Sequence, residues 1–220
     1  MRQPEERSSS NASQAAAYIK QRVISGEFPP GMRLTEEKLA HDIGTSRTPV
    51  REAMRVLTAD GFLSFKPNSG TYVNTWTTDE VREIFDLRTY FESEIAAAAA
   101  PCITEHQLAL LESIEIQCEA LGAIDNMDKI HARTTLNQAF HRVIAEASGK
   151  PKLVAALGNV IEMPIVHQTL MRYSPQQAQR SLTQHREIID ALASADAQWA
   201  RAAMTCHIRA ARFVHLGRDR

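Results

Sequence analysis

The chain has 220 residues, 44% of them apolar and 23% charged, and its 25 Lys and Arg against 26 Asp and Glu leave a net charge of −1. This composition excludes wholesale disorder, a collagen-like repeat and a disulfide scaffold, and it carries no chain-wide basic signal for nucleic acid. The longest apolar run, residues 95–103, falls far short of the ~20 residues of a membrane span, and the polar start MRQPEERSSS has no apolar stretch of a signal peptide.

Cys102, Cys118 and Cys206 are sparse and lack C-x-x-C spacing, which fits reduced thiols in a cytoplasm better than disulfides or a cysteine-bound metal. Residues 1–74 hold 10 Lys and Arg against 8 Asp and Glu, so they carry +2 and residues 75–220 carry −3. The texture changes at the same place. Glycine and proline punctuate the chain up to Val73, whereas Ala, Leu and Ile dominate from Thr77 onward. The pattern predicts a flexible N-terminus over residues 1–11, a first domain over 12–74, a linker over 75–77 and a second domain over 78–220.

In the first domain, Tyr18, Ile19 and Val23 share one face of a helix predicted over residues 12–25, with Gly26 just past its end. Phe28-Pro29-Pro30-Gly31 is a turn. Thr35 then caps a second helix whose first turn carries Glu36 and Glu37 and whose buried face is Leu39, Ala40 and Ile43, before Gly44 ends it. A third helix opens at Ser46 or Thr48 with Pro49 in its first turn. Val50, Ala53, Met54 and Leu57 form its core face, and Arg47, Arg51 and Arg55 form a stripe on the opposite side. Two short apolar runs, residues 62–66 and 71–73, flank Pro67-Asn68-Ser69-Gly70 as a hairpin.

Two short helices joined at a glycine turn and followed by a hairpin describe a winged helix-turn-helix, whose second helix enters the major groove. Three guanidiniums suit phosphates and the O6/N7 edge of guanine, and the Thr45-Ser46 pair can reach phosphates. Taken alone, such a stripe also describes an ordinary solvated helix face. The run SRTPVREA (residues 46–53), within residues 33–73, resembles the winged helix of GntR-family bacterial transcription regulators. The resemblance implies that Arg47, Thr48 and Arg51 touch DNA bases and backbone, with Gly70 at the wing; the arginine stripe adds Arg55, and the polar pair before the helix adds Ser46, as candidate DNA contacts. Glu37 stands where some members carry a DNA-contacting arginine, which implies a different operator.

The second domain shows no convincing strand. Helices are predicted over residues 78–100, 104–122, 126–148, 150–173 with a kink at Pro164, 175–194 and 196–216, with Thr78, Thr104 and Ser174 as caps. The fold class is therefore mainly α: a winged helix-turn-helix followed by an antiparallel six-helix bundle. His141, His185 and His207 each sit mid-stripe among apolar residues, on three different helices. Each reads singly as a hydrogen-bonded core histidine, and His167 has similar flanks. Three together suggest a shared cation, because buried imidazoles without partners are costly. With an oxygen from Asn137 they would make an N₃O set suited to Zn²⁺ or Ni²⁺. His41, His106, His131 and His215 read as surface or helix-end residues.

The segments NQAFH (137–141), QHREIIDAL (184–192) and DAQWARAAMTCHIRAA (196–211) resemble the all-helical FCD effector domain of the FadR branch, in its shorter VanR-like form. The resemblance implies Asn137, His141, His185 and His207 as ligands of a divalent metal at the floor of a cavity, with asparagine in place of the commoner aspartate. It also implies a small organic acid as effector, with Arg88 and more weakly Arg172 reaching its carboxylate. Arg88 reads equally as an i,i+4 pair with Glu92 on a solvated face. The expectation is a homodimeric, cytoplasmic DNA-binding regulator, usually a repressor, acting on an inverted repeat, with no membrane partner and no catalysis. Two alternatives stay open: a metalloenzyme with an accessory DNA-binding module, disfavoured because Glu146 and Glu187 are adjacent to the histidines in sequence but on other helix faces and so leave no general base beside them, and a ligand-free dimerisation bundle.

Overall fold

The computed structural model describes residues 4–158, 160–161 and 163–217, leaving aside the side chains of residues 4–10, 163 and 167. His167 therefore lies outside the described side chains. The chain divides into two compact units, with the break between Trp76 and Thr77.

The first unit runs α1 (Pro4–Ser25), β1 (Arg33–Leu34), α2 (Glu36–Ile43), α3 (Arg47–Ala59), β2 (Leu63–Lys66) and β3 (Gly70–Val73). Helix α1 begins eight residues before the expected start, within the stretch expected to be flexible. Proline is well tolerated at a first helical position, and no further breaker occurs before Gly26. The strands form one antiparallel sheet in the order β1-β3-β2, with Arg33 opposite Tyr72 and Ser64 opposite Tyr72 on the other side. The sequence pattern showed only the β2–β3 hairpin, because β1 is two residues long. Ile19, Leu39, Val50, Leu57, Phe62 and Leu63 fill the core, whereas Ile43 is only half-buried.

The tight joint between α2 and α3 rests on Gly44. Its φ of 75° is left-handed, and its N–H donates to the carbonyls of Ala40 and His41. A Cβ added there would meet nothing within 4 Å, so Gly44→Ala carries only the left-handed backbone cost. A loss of about 1 kcal/mol in urea unfolding is expected.

The second unit runs α4 (Thr78–Ala99), α5 (Glu105–Ala120), α6 (Met127–Ala147), α7 (Pro151–Gly158), α8 (Met163–Met171), α9 (Pro175–Ala193) and α10 (Ala197–Leu216). The expected six helices are thus seven among the described residues. The segment expected to kink at Pro164 breaks instead, because Gly158 ends α7 and proline lacks the N–H that a continuous helix would use. Thr77, not Thr78, caps α4: Glu80 Oε2 accepts from Thr77 N at 2.6 Å and Oγ1 at 2.9 Å. That capping box follows the spacing T-x-x-E, which selects the threonine three residues before the glutamate. Thr104 with Gln107 and Ser174 with Gln177 make the same box on α5 and α9. Helix α4 packs along α10 and against α6, while α9 packs against α10 and α5. Phe85, Leu111, Phe140, Ile188 and Ile208 are buried between them.

At the far end of α10, His215 is in the last turn as expected but is buried rather than on the surface, 7% exposed. Thr169 Oγ1 lies 2.8 Å from its Nδ1 and already donates to the Ile165 carbonyl, so Nδ1–H of His215 donates to the threonine. Burial, then the nearby Arg172 guanidinium, pushes His215 down to about 4. An unfolded histidine titrates near 6.5, so the unfolded chain gains a proton first and stability falls from about pH 6.5 to pH 4. After allowance for solvent screening at a helix end, about 2 kcal/mol is at stake. The difference in melting temperature between the wild type and His215→Gln is expected to shift against the wild type on acidification through that window.

Candidate functional site

Two sets of residues are candidates for the function, one in each unit. In the first unit, Ser46 caps α3 with extended backbone but without a side-chain hydrogen bond, leaving its hydroxyl free of that role. Arg47, Thr48, Arg51 and Arg55 are all exposed, while Val50, Ala53, Met54 and Leu57 of the same helix are buried. The amphipathic pattern therefore fixes which way the guanidiniums point. Arg47 pairs with Glu36 across the turn at 3.3 Å, whereas Arg51 and Arg55 carry no ion pair among the described residues. A groove of about 580 Å³ runs between α3 and the sheet, lined by Arg51, Arg55, Thr58, Phe65 and Thr71 among others. Phe65 is 63% exposed there, an apolar presence on this face that strand alternation alone did not reveal. Gly70 opens β3 with a φ of 114°, and a Cβ on it would come within 3.1 Å of Arg33 Nε.

In the second unit, the ring nitrogens of His141, His185 and His207 lie within 4.8 Å of one another, brought together from α6, α9 and α10. His185 Nε2 and His207 Nε2 are 3.3 Å apart. Behind the rings stand two carboxylates that the sequence reading did not place there. Glu92 of α4 accepts from His141 Nδ1 at 2.7 Å, and Glu115 of α5 accepts from His185 Nδ1 at 2.6 Å. Both are buried charged residues within apolar stripes, the same signal that singled out the histidines: Glu115 falls between Leu111, Ile114 and Cys118. His185 also stacks on Phe140, with centroids 4.1 Å apart and planes 6° from parallel.

The electrostatics favour neutral rings at His185 and His207. Burial, reinforced by the neighbouring histidines, holds His185 and His207 well below the usual imidazole range. Burial would raise Glu92, but Arg88 and His141 outweigh it and hold the carboxyl at about 2. Burial pushes Glu115 up to about 7 against the pull of Arg133 and Arg186.

This donor set fits a cation. Two nitrogens held by a tetrahedral Zn²⁺ at its usual bond length stand ~3.3 Å apart, close to the His185–His207 separation. His141 Nε2 is buried without a hydrogen-bond partner, so its lone pair is free toward the cluster. Carboxylates on the outer nitrogens fix the tautomer that turns Nε2 inward, a common support for metal-binding histidines. Asn137 is buried one turn before His141, on the same side of α6.

The two arginines expected in the cavity are engaged within the fold. Arg88 donates Nε to Glu92 at 2.9 Å, as the i,i+4 reading has it, but the pair is buried rather than solvated. Arg172 is exposed and donates to the His215 carbonyl, because the last carbonyls of α10 have no partner within the helix. Cys118 is buried, Cys102 and Cys206 are exposed, and all three are free thiols. No helix among the described residues is long and apolar enough to cross a membrane.

The first unit is thus a winged helix-turn-helix with an outward arginine stripe, and the second a helical unit built around a polar cluster. Residues 11–73 match the family model of bacterial regulatory proteins of the gntR family, and residues 83–210 match the FCD domain. The probable D-xylose utilization operon transcriptional repressor of Paenarthrobacter nicotinovorans is 30% identical over 199 residues, covering 90% of this chain and 86% of the relative. The HTH-type transcriptional regulator YdhC of Bacillus subtilis (strain 168) is 30% identical over 172 residues, 78% of this chain and 76% of its own. The solved structure of E. coli McbR/YncC shares the fold, with a TM-score of 0.70 at 24% identity over 90% of this chain and 93% of that one. The chain belongs to the GntR family and carries an FCD domain. It is a DNA-binding transcriptional regulator and not an enzyme.

Proposed function

We propose that the protein is a repressor that binds an inverted-repeat operator as a homodimer in the cytoplasm and is released by a small organic acid. The observation that carries this reading is the convergence of His141, His185 and His207, two of them held from behind by carboxylates. His141, His185, His207 and the amide oxygen of Asn137 would hold the divalent ion, Zn²⁺ or Ni²⁺. With those four ligands a tetrahedral ion is fully coordinated and would tie α6, α9 and α10 into one arrangement, on which the bound acid acts. The ligand acts on DNA only so far as it binds the DNA-competent and DNA-incompetent arrangements with different affinity. In the reading unit, Arg51 and Arg55 meet base edges and phosphates, Thr48 and Ser46 meet phosphates, and Arg47 joins them on leaving Glu36.

Footprinting on the DNA upstream of the protein's own coding sequence tests the operator half of this reading. Two protected half-sites related by a dyad, about one helical turn apart, are expected. Protection of a single unrepeated site contradicts the dimeric reading.

A further inference from the structure

Arg133 is a buried arginine of the helical unit with no role in the histidine cluster's hydrogen bonds. It sits on α6, is 3% exposed, and its Nε has no hydrogen-bond partner. Among the described residues no ion pair forms to it. On α5, the helix packed against α6, Glu119 pairs with Arg186 at 3.0 Å, while Glu115 gives Oε1 to His185 and neither of its oxygens forms an ion pair with Arg133. An arginine cannot shed its charge, and a buried charge without a counterion is costly.

The same side chain lines a cavity of about 410 Å³ formed where the α5–α6 loop, the end of α8 and the start of α9 meet. Its walls include Ile124, Ile130, Leu170 and Leu182, with the Tyr173 phenol as a further polar group. No acidic residue lines it. A volume of this size with apolar walls and few polar groups is typical of a small-molecule site. Arg133, Asn137 and His141 also follow one another at four-residue spacing, so they lie along one side of α6.

We propose that Arg133 anchors the carboxylate of a small organic acid whose apolar body lies against Ile124, Ile130, Leu170 and Leu182. The planar guanidinium matches a carboxylate bidentately, and an anion supplies the counterion that the fold does not. The assignment rests on the reading that the helical unit takes a small acid, and it names the anchor and the shape of that acid. It replaces Arg88 and Arg172, both occupied within the fold.

Thermal melting of the full chain tests it, with butanoate, hexanoate and benzoate as probes and their neutral amides as controls at matched ionic strength. At least one acid is expected to raise the wild-type melting temperature by about 5 °C near saturation, and its amide to have no effect. Arg133→Met keeps the volume and removes the charge. It is expected to melt at or above the ligand-free wild type and to lose the acid-induced shift. His207→Ala is expected to retain that shift. A full shift in Arg133→Met overturns the assignment. If the shift is lost in His207→Ala instead, the acid sits on the histidine cluster, so the Arg133 anchor fails while the metal-site reading stands. No shift of the wild type with any acid overturns both.

Discussion

Arg51→Ala is expected to weaken operator binding by about 10- to 100-fold while leaving the melting temperature almost unchanged. Arg51 is exposed, carries no ion pair among the described residues, and lies on the groove between α3 and the sheet. Its side chain does nothing for the fold, whereas a good arginine–guanine contact contributes about 1–3 kcal/mol of discrimination. Arg47→Ala is expected to have a smaller effect, because Arg47 must first leave Glu36. That exposed pair is worth under about 1 kcal/mol, so Glu36→Gln is expected to tighten DNA binding slightly by freeing the guanidinium. Fluorescence anisotropy on a labelled operator, at one stated salt concentration, measures all three. Unchanged affinity in Arg51→Ala contradicts the assignment of α3 as the reading helix.

The largest stability effect is expected at His185. The ring is fully buried, stacked on Phe140, and holds Glu115 Oε1 at 2.6 Å, while Glu115 Oε2 already lacks a partner. His185→Ala therefore removes packing and strands a buried carboxyl at once. A loss of about 3–5 kcal/mol is expected from urea unfolding. Added Zn²⁺ is expected to raise the melting temperature of the wild type but not of this variant. Asn137→Asp tests the same site in the opposite direction. A carboxylate is a stronger donor than an amide oxygen, so tighter metal binding is expected by competition with a chelator. Equal affinity in the two forms contradicts a place for Asn137 in the ligand set.

Much of this architecture is legible in the order of residues because local chemistry decides it. Gly44 in the left-handed region, the capping residues Thr104 and Ser174, and the opposed faces of α3 follow from backbone and periodicity alone. The residues that escaped depend on long-range pairing. A stripe pattern marks His141, His185 and His207 as inward-facing, but only the packing of α4 and α5 brings Glu92 and Glu115 behind them. The same limit applies to arginines. Nothing near Arg172 in the chain shows that it meets the end of α10, 43 residues on, and nothing near Arg133 shows that it is buried without an ion pair. His215 belongs with these, since its partner Thr169 comes from α8.

Under the proposed function, the state of the histidine cluster governs the grip of α3 on DNA. Operator affinity is measured by anisotropy for the chelator-stripped protein, for the protein reloaded with Zn²⁺, and for the reloaded protein with a stabilising carboxylate. Typical couplings between sites amount to about 5- to 150-fold, so a change of at least fivefold between the last two states is expected, absent in His207→Ala. Identical affinity in all three states, with zinc demonstrably bound, contradicts the account.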